Sequence, residues 1–202
     1  MNPIMLIEPN DPAVADEANA WTDDQTARWG YVPNYAAAFA SRPEVAKAWT
    51  ALNIAVRDGM NRRRFEIATI AAARAMQNTY CTLAHSKFLR DACHDMPSMV
   101  ALANDANNRA LDETDRAVVA FAGKVARNAA GISADDMAGL RSAGLSDNDI
   151  ADVVFAVATR SFFTRVLDGM GVNADHELTR SFEPSLVEQM VVGRPVAAAS
   201  GN

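Results

Sequence analysis

The stretch Glu66-Ile67-Ala68-Thr69-Ile70-Ala71-Ala72-Ala73-Arg74-Ala75-Met76-Gln77-Asn78-Thr79-Tyr80-Cys81-Thr82-Leu83-Ala84-His85 holds the densest chemistry in the sequence. Its alanine and isoleucine content predicts helix from Asn61 to about Gln77. A second helix is predicted from near Asn78 to about His94. Cys81 and His85 are four apart, which places them one turn from each other on one helical face. An imidazole beside a thiol can take its proton or stabilise its thiolate. Asn78 reads as an N-cap, which sets Cys81 at the third helical position, near unpaired backbone N–H groups and the positive end of the helix dipole. Both effects are expected to lower a thiol pKa.

Glu66 precedes Cys81 by fifteen residues. On one straight helix that is about 22 Å, so the carboxylate meets the thiol and imidazole only if the chain turns near Gln77–Asn78. With such a turn, Glu66 can orient the His85 ring and raise its basicity. Each residue has a plainer reading as well. Free cysteines are commonly packed as small hydrophobes, and a glutamate on a helix usually faces water. Cys93 reads as a packed or weakly exposed thiol, about 18 Å from Cys81 along a continuous helix and beyond disulfide reach. His94 and His176 lack comparable company and read as surface or turn residues.

Working outward, the composition favours helix, with no hairpin or period-2 strand pattern. Asp11-Pro12 marks a helix start running to about Arg28, and Gly30-Tyr31-Val32-Pro33 breaks it. Short helical material follows from Asn34 to Ala40. Ser41-Arg42-Pro43-Glu44 reads as a capping box opening a helix to Gly59, with Val45, Trp49, Leu52 and Val56 as its buried stripe. Pro97 restarts the chain. Helices are then expected after Leu111-Asp112-Glu113-Thr114, after Gly131-Ile132-Ser133 up to about Ser142, and after Gly144-Leu145-Ser146-Asp147. The last has Ile150, Val153, Val154 and Val157 buried. Met60-Asn61 and Leu145-Ser146, 85 residues apart, open similar helices, a weak internal duplication. One domain is expected over 1–182, with a motif core at about 45–95. A tail over 183–202 is expected to be disordered or to wrap a partner subunit.

The chain has 202 residues, half of them hydrophobic, and a net charge of −6. A sizeable core can therefore be buried. The acidic balance and the lack of a basic stripe argue against nucleic acid. No signal peptide and no membrane span are read, so a cytoplasmic protein is expected. Two cysteines and three histidines show no closed metal-ligand spacing, so neither metal nor cofactor is implied.

The pattern of Glu66, Asn78, Cys81 and His85 resembles the alkylhydroperoxidase D motif of Glu, Cys-x-x-Cys and His, within the carboxymuconolactone decarboxylase family. Gly30-Tyr31-Val32-Pro33-Asn34 with Arg42-Pro43-Glu44, and Phe162-Phe163-Thr164-Arg165-Val166-Leu167 with Gly171-Val172, resemble flanking runs of its peroxidase-related branch. The resemblance spans roughly residues 25–180. It implies an all-α helical bundle, assembled as a dimer, trimer or hexamer, that reduces hydroperoxides through a thiol in an antioxidant role. It implies Cys81 as the peroxide-attacking residue, with Glu66 and His85 as the proton relay. Asn78, Tyr80 and Arg165 are expected to shape the pocket. Asn78 stands where the motif has its first cysteine, so an external thiol or another subunit's cysteine must act as reductant. Two other readings stand beside this one. One is a lyase on a carboxylated lactone, with His85 and Glu66 as acid and base and Arg74 or Arg165 holding the carboxylate. The other is an oligomeric family member without chemistry.

Overall fold

The computed structural model describes residues 12–104 and 111–199. The N-terminal segment read as no signal peptide and the Asp11 cap lie outside these residues. At the centre is α4 (Arg62–Ala75), in which every residue from Phe65 to Ala73 is buried. A helix buried on all sides must be enclosed by others. Here it packs against α3 (Pro43–Asp58), α5 (Thr79–Ala92), α7 (Glu113–Asn128) and α9 (Asp147–Gly169). Asn61 caps it, its side chain accepting the Arg64 N–H.

Three consecutive arginines open α4, where the helix dipole disfavours positive charge. Each is directed at carboxylates. Arg62 reaches Glu66 one turn on at 2.6 Å. Arg63 forks onto Asp115 and also holds Asp95 at 2.5 Å, tying α4 to its neighbours. Arg64 pairs with Asp149 on α9. Arg64 and Asp149 are equivalent positions of the 85-residue echo, and the two helices that carry the echo pack on each other.

The remaining helices are α1 (Pro12–Trp29), α2 (Asn34–Phe39), α6 (Met96–Asn104), α8 (Ala134–Ser142), α10 (His176–Thr179) and α11 (Pro184–Met190). Ser133 and Ser146 form capping boxes with Asp136 and Asp149 at the starts of α8 and α9. Among the described residues there is no strand, only an isolated bridge between Ala174 and Val196. The chain is all-α, as its composition predicts. No described helix is long and apolar enough to cross a membrane.

Four expectations need correction. The capping box at Ser41–Glu44 does not form: Arg42 occupies the N-cap position without a side-chain cap, and Glu44 pairs with Arg42 instead. Pro43 at the first helical position suffices to start α3. Leu52 and Val154 are exposed, on the outer sides of α3 and α9, because the inner sides already fill the space between α3, α4 and α9. The segment from 183 is not a loose tail up to its last described residue. α11 packs on α5 and α6 of its own chain, Met190 is fully buried, and the Ala197 N–H pairs with the Ala174 carbonyl at 2.8 Å.

Candidate active site

The turn that the site requires is present. α4 ends at Ala75, and Gln77 takes a left-handed φ of 57°. The Asn78 N–H returns to the Ala73 carbonyl at 2.9 Å and the Gln77 N–H to the Arg74 carbonyl at 3.0 Å, a Schellman closure. Asn78 then caps α5, its Oδ1 accepting the Cys81 N–H at 2.8 Å, while its side chain also bonds Asp168. One residue thus ends the elbow, starts α5 and fixes the backbone of Cys81. The chain after α11 closes over the elbow. The Gly193 N–H donates to Thr79 Oγ1 at 3.0 Å, and the Gly193 backbone lies so close to the Gln77 carbonyl that a Cβ would sit 1.7 Å from its oxygen.

The reversal brings α4 and α5 side by side. Glu66 is fully buried, with one carboxylate oxygen on Arg62 and the other 2.5 Å from His85 Nδ1. A carboxylate only accepts, so the neutral ring carries its proton on Nδ1 and presents Nε2 as an acceptor. Burial, joined by the Arg160 charge, pulls the His85 pKa down to about 4, and the pairing with Glu66 only partly opposes this. At neutral pH His85 is therefore an uncharged acceptor.

Cys81 is 1% exposed. Burial pushes its thiol pKa up, and the charge and hydrogen bond of Arg160 oppose that rise. The depressed thiol expected from the helix terminus is thus not found. Removal from water outweighs the dipole, and the Cys81 N–H itself is already taken by Asn78. Among the described residues no hydrogen bond joins His85 to Cys81. The sulfur instead receives Arg160 Nη1 at 3.7 Å, from α9.

Cys81, His85 and Arg160 line one cavity of about 110 Å³, walled by the rings of Trp29, Tyr35, Trp49, Tyr80, Phe88 and Phe163. Trp49 and Phe163 stack at 4.2 Å between centroids. Trp29, Tyr35, Trp49, Asn53 and Phe88 also line an outer cleft of about 480 Å³ that reaches Arg28, Arg57 and Lys87 at the rim. These shared side chains stand between the two spaces, and Cys81 lines the inner one.

The remaining predicted residues fall as follows. Tyr80 contributes its ring to the cavity wall, but its hydroxyl donates to Asp175, which also accepts from Tyr31 at 3.1 Å and from the Asn34 N–H at 2.7 Å. The Gly30–Asn34 run thus anchors α2 to α5 and to the chain before α10. Arg165 does not shape the pocket. It is exposed on α9, and Arg160 occupies the place expected for it. Arg74 sits at the end of α4 and bonds the Gln189 carbonyl, away from the thiol cavity. Cys93 caps the far end of α5, half-buried, and both cysteines are free. Arg160 was detectable: it lies in register with Val153, Val157, Thr164 and Leu167, a cation on a buried stripe. Among the described residues no cluster of three or more His, Cys, Asp or Glu is placed to hold a metal.

No family model matches the sequence, and no curated relative matches it. Solved structures do. An uncharacterized peroxidase-related protein from Silicibacter sp. TM1040 superposes with a TM-score of 0.74 at 25% identity, over 88% of this chain and 95% of that one. A peroxidase-related protein from Ralstonia eutropha JMP134, described as an alkylhydroperoxidase AhpD core, gives 0.72 at 22% identity, over 96% and 100%. The chain has the alkylhydroperoxidase D-like fold. A variant of the debrominase Bmp8 in complex with 2,3,4-tribromopyrrole shares the fold with a TM-score of 0.70 at 15% identity, over 92% and 97%. Alkylhydroperoxidase D-like structures thus include an enzyme with a different activity. In this alkylhydroperoxidase D-like chain, the elbow between α4 and α5 brings Glu66 against His85, which lines the thiol cavity.

Proposed function

We propose that this protein is a thiol-dependent hydroperoxide reductase, with Cys81 as nucleophile and His85 and Glu66 as its proton relay. The observation that carries this reading is a buried thiol on a small aromatic cavity beside a neutral imidazole fixed by a carboxylate. The Cys81 thiolate attacks one peroxide oxygen. An S–O bond forms as the O–O bond breaks, so the sulfur is oxidised to a sulfenic acid and the hydroperoxide is reduced to an alcohol. The thiol proton passes by way of His85 Nε2 to the departing alkoxide. Glu66 holds the ring in the tautomer that accepts, and Arg62 holds Glu66. Two molecules of a small external thiol then return the sulfenic acid to the thiol, yielding a disulfide and water. Asn78 leaves Cys81 without a neighbouring thiol within its own motif, which is why the reductant is external. An antioxidant role, a cytoplasmic location and a homo-oligomeric assembly belong to the same reading. The test is hydroperoxide consumption with a small thiol present: Cys81→Ser abolishes it, and unchanged consumption refutes the nucleophile.

A second reading is favoured by one observation, a buried guanidinium in the cavity with no carboxylate partner among the described residues. In this reading a carboxylated ring binds Arg160, rather than Arg74 or Arg165, and His85 acts as acid and base. Turnover of a lactone acid that survives Cys81→Ser would favour it.

A further inference from the structure

We propose that Arg160 is a catalytic residue of this site, the group whose charge stabilises the Cys81 thiolate as the thiol proton leaves, and that His85 does not supply that stabilisation. This inference rests on the reading of Cys81 as the nucleophile.

Arg160 is 2% exposed. A guanidinium does not lose its proton in a protein, so its full charge stands in the interior. Burying such a charge is costly unless an anion faces it. No carboxylate does so among the described residues. Its Nη2 bonds the neutral Asn53 Oδ1 at 3.2 Å, its Nη1 meets Cys81 Sγ at 3.7 Å, and its Nε has no partner. The ring faces of Trp49 and Phe163, 5.6 and 5.4 Å from its Cζ, partly offset the cost. The group in contact that can become an anion is the sulfur. Ionising Cys81 converts an unpaired buried cation into an ion pair.

His85 is poorly suited to this. It is uncharged at neutral pH, its Nδ1–H is committed to Glu66, and no hydrogen bond joins it to the sulfur. The other charged groups bearing on the thiol are few. Asp168, also on α9, opposes ionisation from a distance, and Tyr35 and Tyr80 in the cavity wall are neutral. Work therefore divides between two helices: α9 supplies the charge that makes the nucleophile, and α4 with α5 supplies the base that carries its proton.

The experiment measures the Cys81 thiol pKa from the pH dependence of alkylation by a small neutral haloacetamide, in a Cys93→Ser background so that one thiol reports. Arg160→Met raises that pKa by at least about one pH unit, which slows alkylation at neutral pH by roughly tenfold. Arg160→Lys recovers most of the loss, and His85→Gln leaves the pKa nearly unchanged. Circular dichroism confirms folding, and Arg160→Gln, polar beside Asn53, gives the same rise where methionine disturbs packing. An unchanged pKa in folded Arg160→Met or Arg160→Gln overturns the proposal. So does a larger rise in His85→Gln. The readout needs no hydroperoxide. Loss of the pKa effect in a protein that still consumes peroxide removes only the arginine's role, whereas a clear pKa effect in a protein inert to hydroperoxides removes only the proposed reaction.

Discussion

Glu66 and His85 lie on different helices, nineteen residues apart in sequence, yet Oε2 of one is 2.5 Å from Nδ1 of the other, and both are buried. That contact exists because α4 reverses into α5 within three residues. The reversal depends on a left-handed Gln77, the Asn78 cap and the backbone of Gly193 lying across them. The reacting groups are thus as well placed as the elbow is firm.

The protonation state of His85 couples this site to acid stability. Its pKa is about 4 in the fold against an ordinary 6.5, so between those values the unfolded chain binds a proton that the folded one refuses. The stabilisation from a neutral His85 is complete above about pH 6.5 and is lost as pH falls through 4. The loss is on the order of 3 kcal/mol, since each tenfold change in proton affinity is worth about 1.4 kcal/mol. Urea midpoints measured across this window decline for the wild type. They decline less for His85→Gln, and parallel curves would contradict the assignment.

Gly193→Ala tests the closure over the elbow. A Cβ there would meet the Gln77 carbonyl oxygen at 1.7 Å, backbone against backbone, so one segment must move. A loss of about 2–3 kcal/mol is expected by denaturant unfolding, in line with overpacked positions elsewhere. Slower reaction of Cys81 is expected with it, since the displaced turn carries Asn78. A variant as stable as the wild type would show that the closure contributes nothing.

Asn78→Cys restores the paired cysteines of the motif that this chain resembles. The substitution removes the Oδ1 cap on the Cys81 N–H, which costs about 1 kcal/mol. It places a second thiol one helical turn before Cys81. Oxidant treatment followed by counting free thiols should find a new disulfide, and the oxidised form should resist further oxidation to sulfinic acid. Persistence of both thiols under peroxide would mean that the elbow holds residue 78 out of reach.

Much of this architecture was legible in the sequence. The alanine-rich run before Asn78, with a cysteine three residues on and a histidine four beyond that, required a turn for Glu66 to matter, and the turn is there. Helix limits followed from the Ser133 and Ser146 caps. Arg165 and Arg160 were harder to tell apart. They are five residues apart on α9, about 140° around a helix of 3.6 residues per turn, so one faces the thiol and the other water. The flanking motif favours Arg165, and the sequence reading does not single out Arg160, whose register with Val153, Val157 and Leu167 is the signal that would have found it. Leu52 and Val154 read as core because their spacing is apolar, yet spacing cannot say how wide the buried face is once neighbouring helices have filled the gap. The direction in which the Cys81 pKa moves was also hidden, because it depends on how completely the assembled rings exclude water.

The most direct test of Cys81 as the peroxide-attacking group is to trap the product of the first chemical step. The protein is treated with a stoichiometric hydroperoxide beside a 1,3-dicarbonyl reagent that captures sulfenic acids, then digested and read by mass spectrometry. The adduct is expected on Cys81, with none in Cys81→Ser and little on Cys93. Consumption of hydroperoxide with Cys81 unlabelled, or equal labelling of the two cysteines, would contradict that assignment.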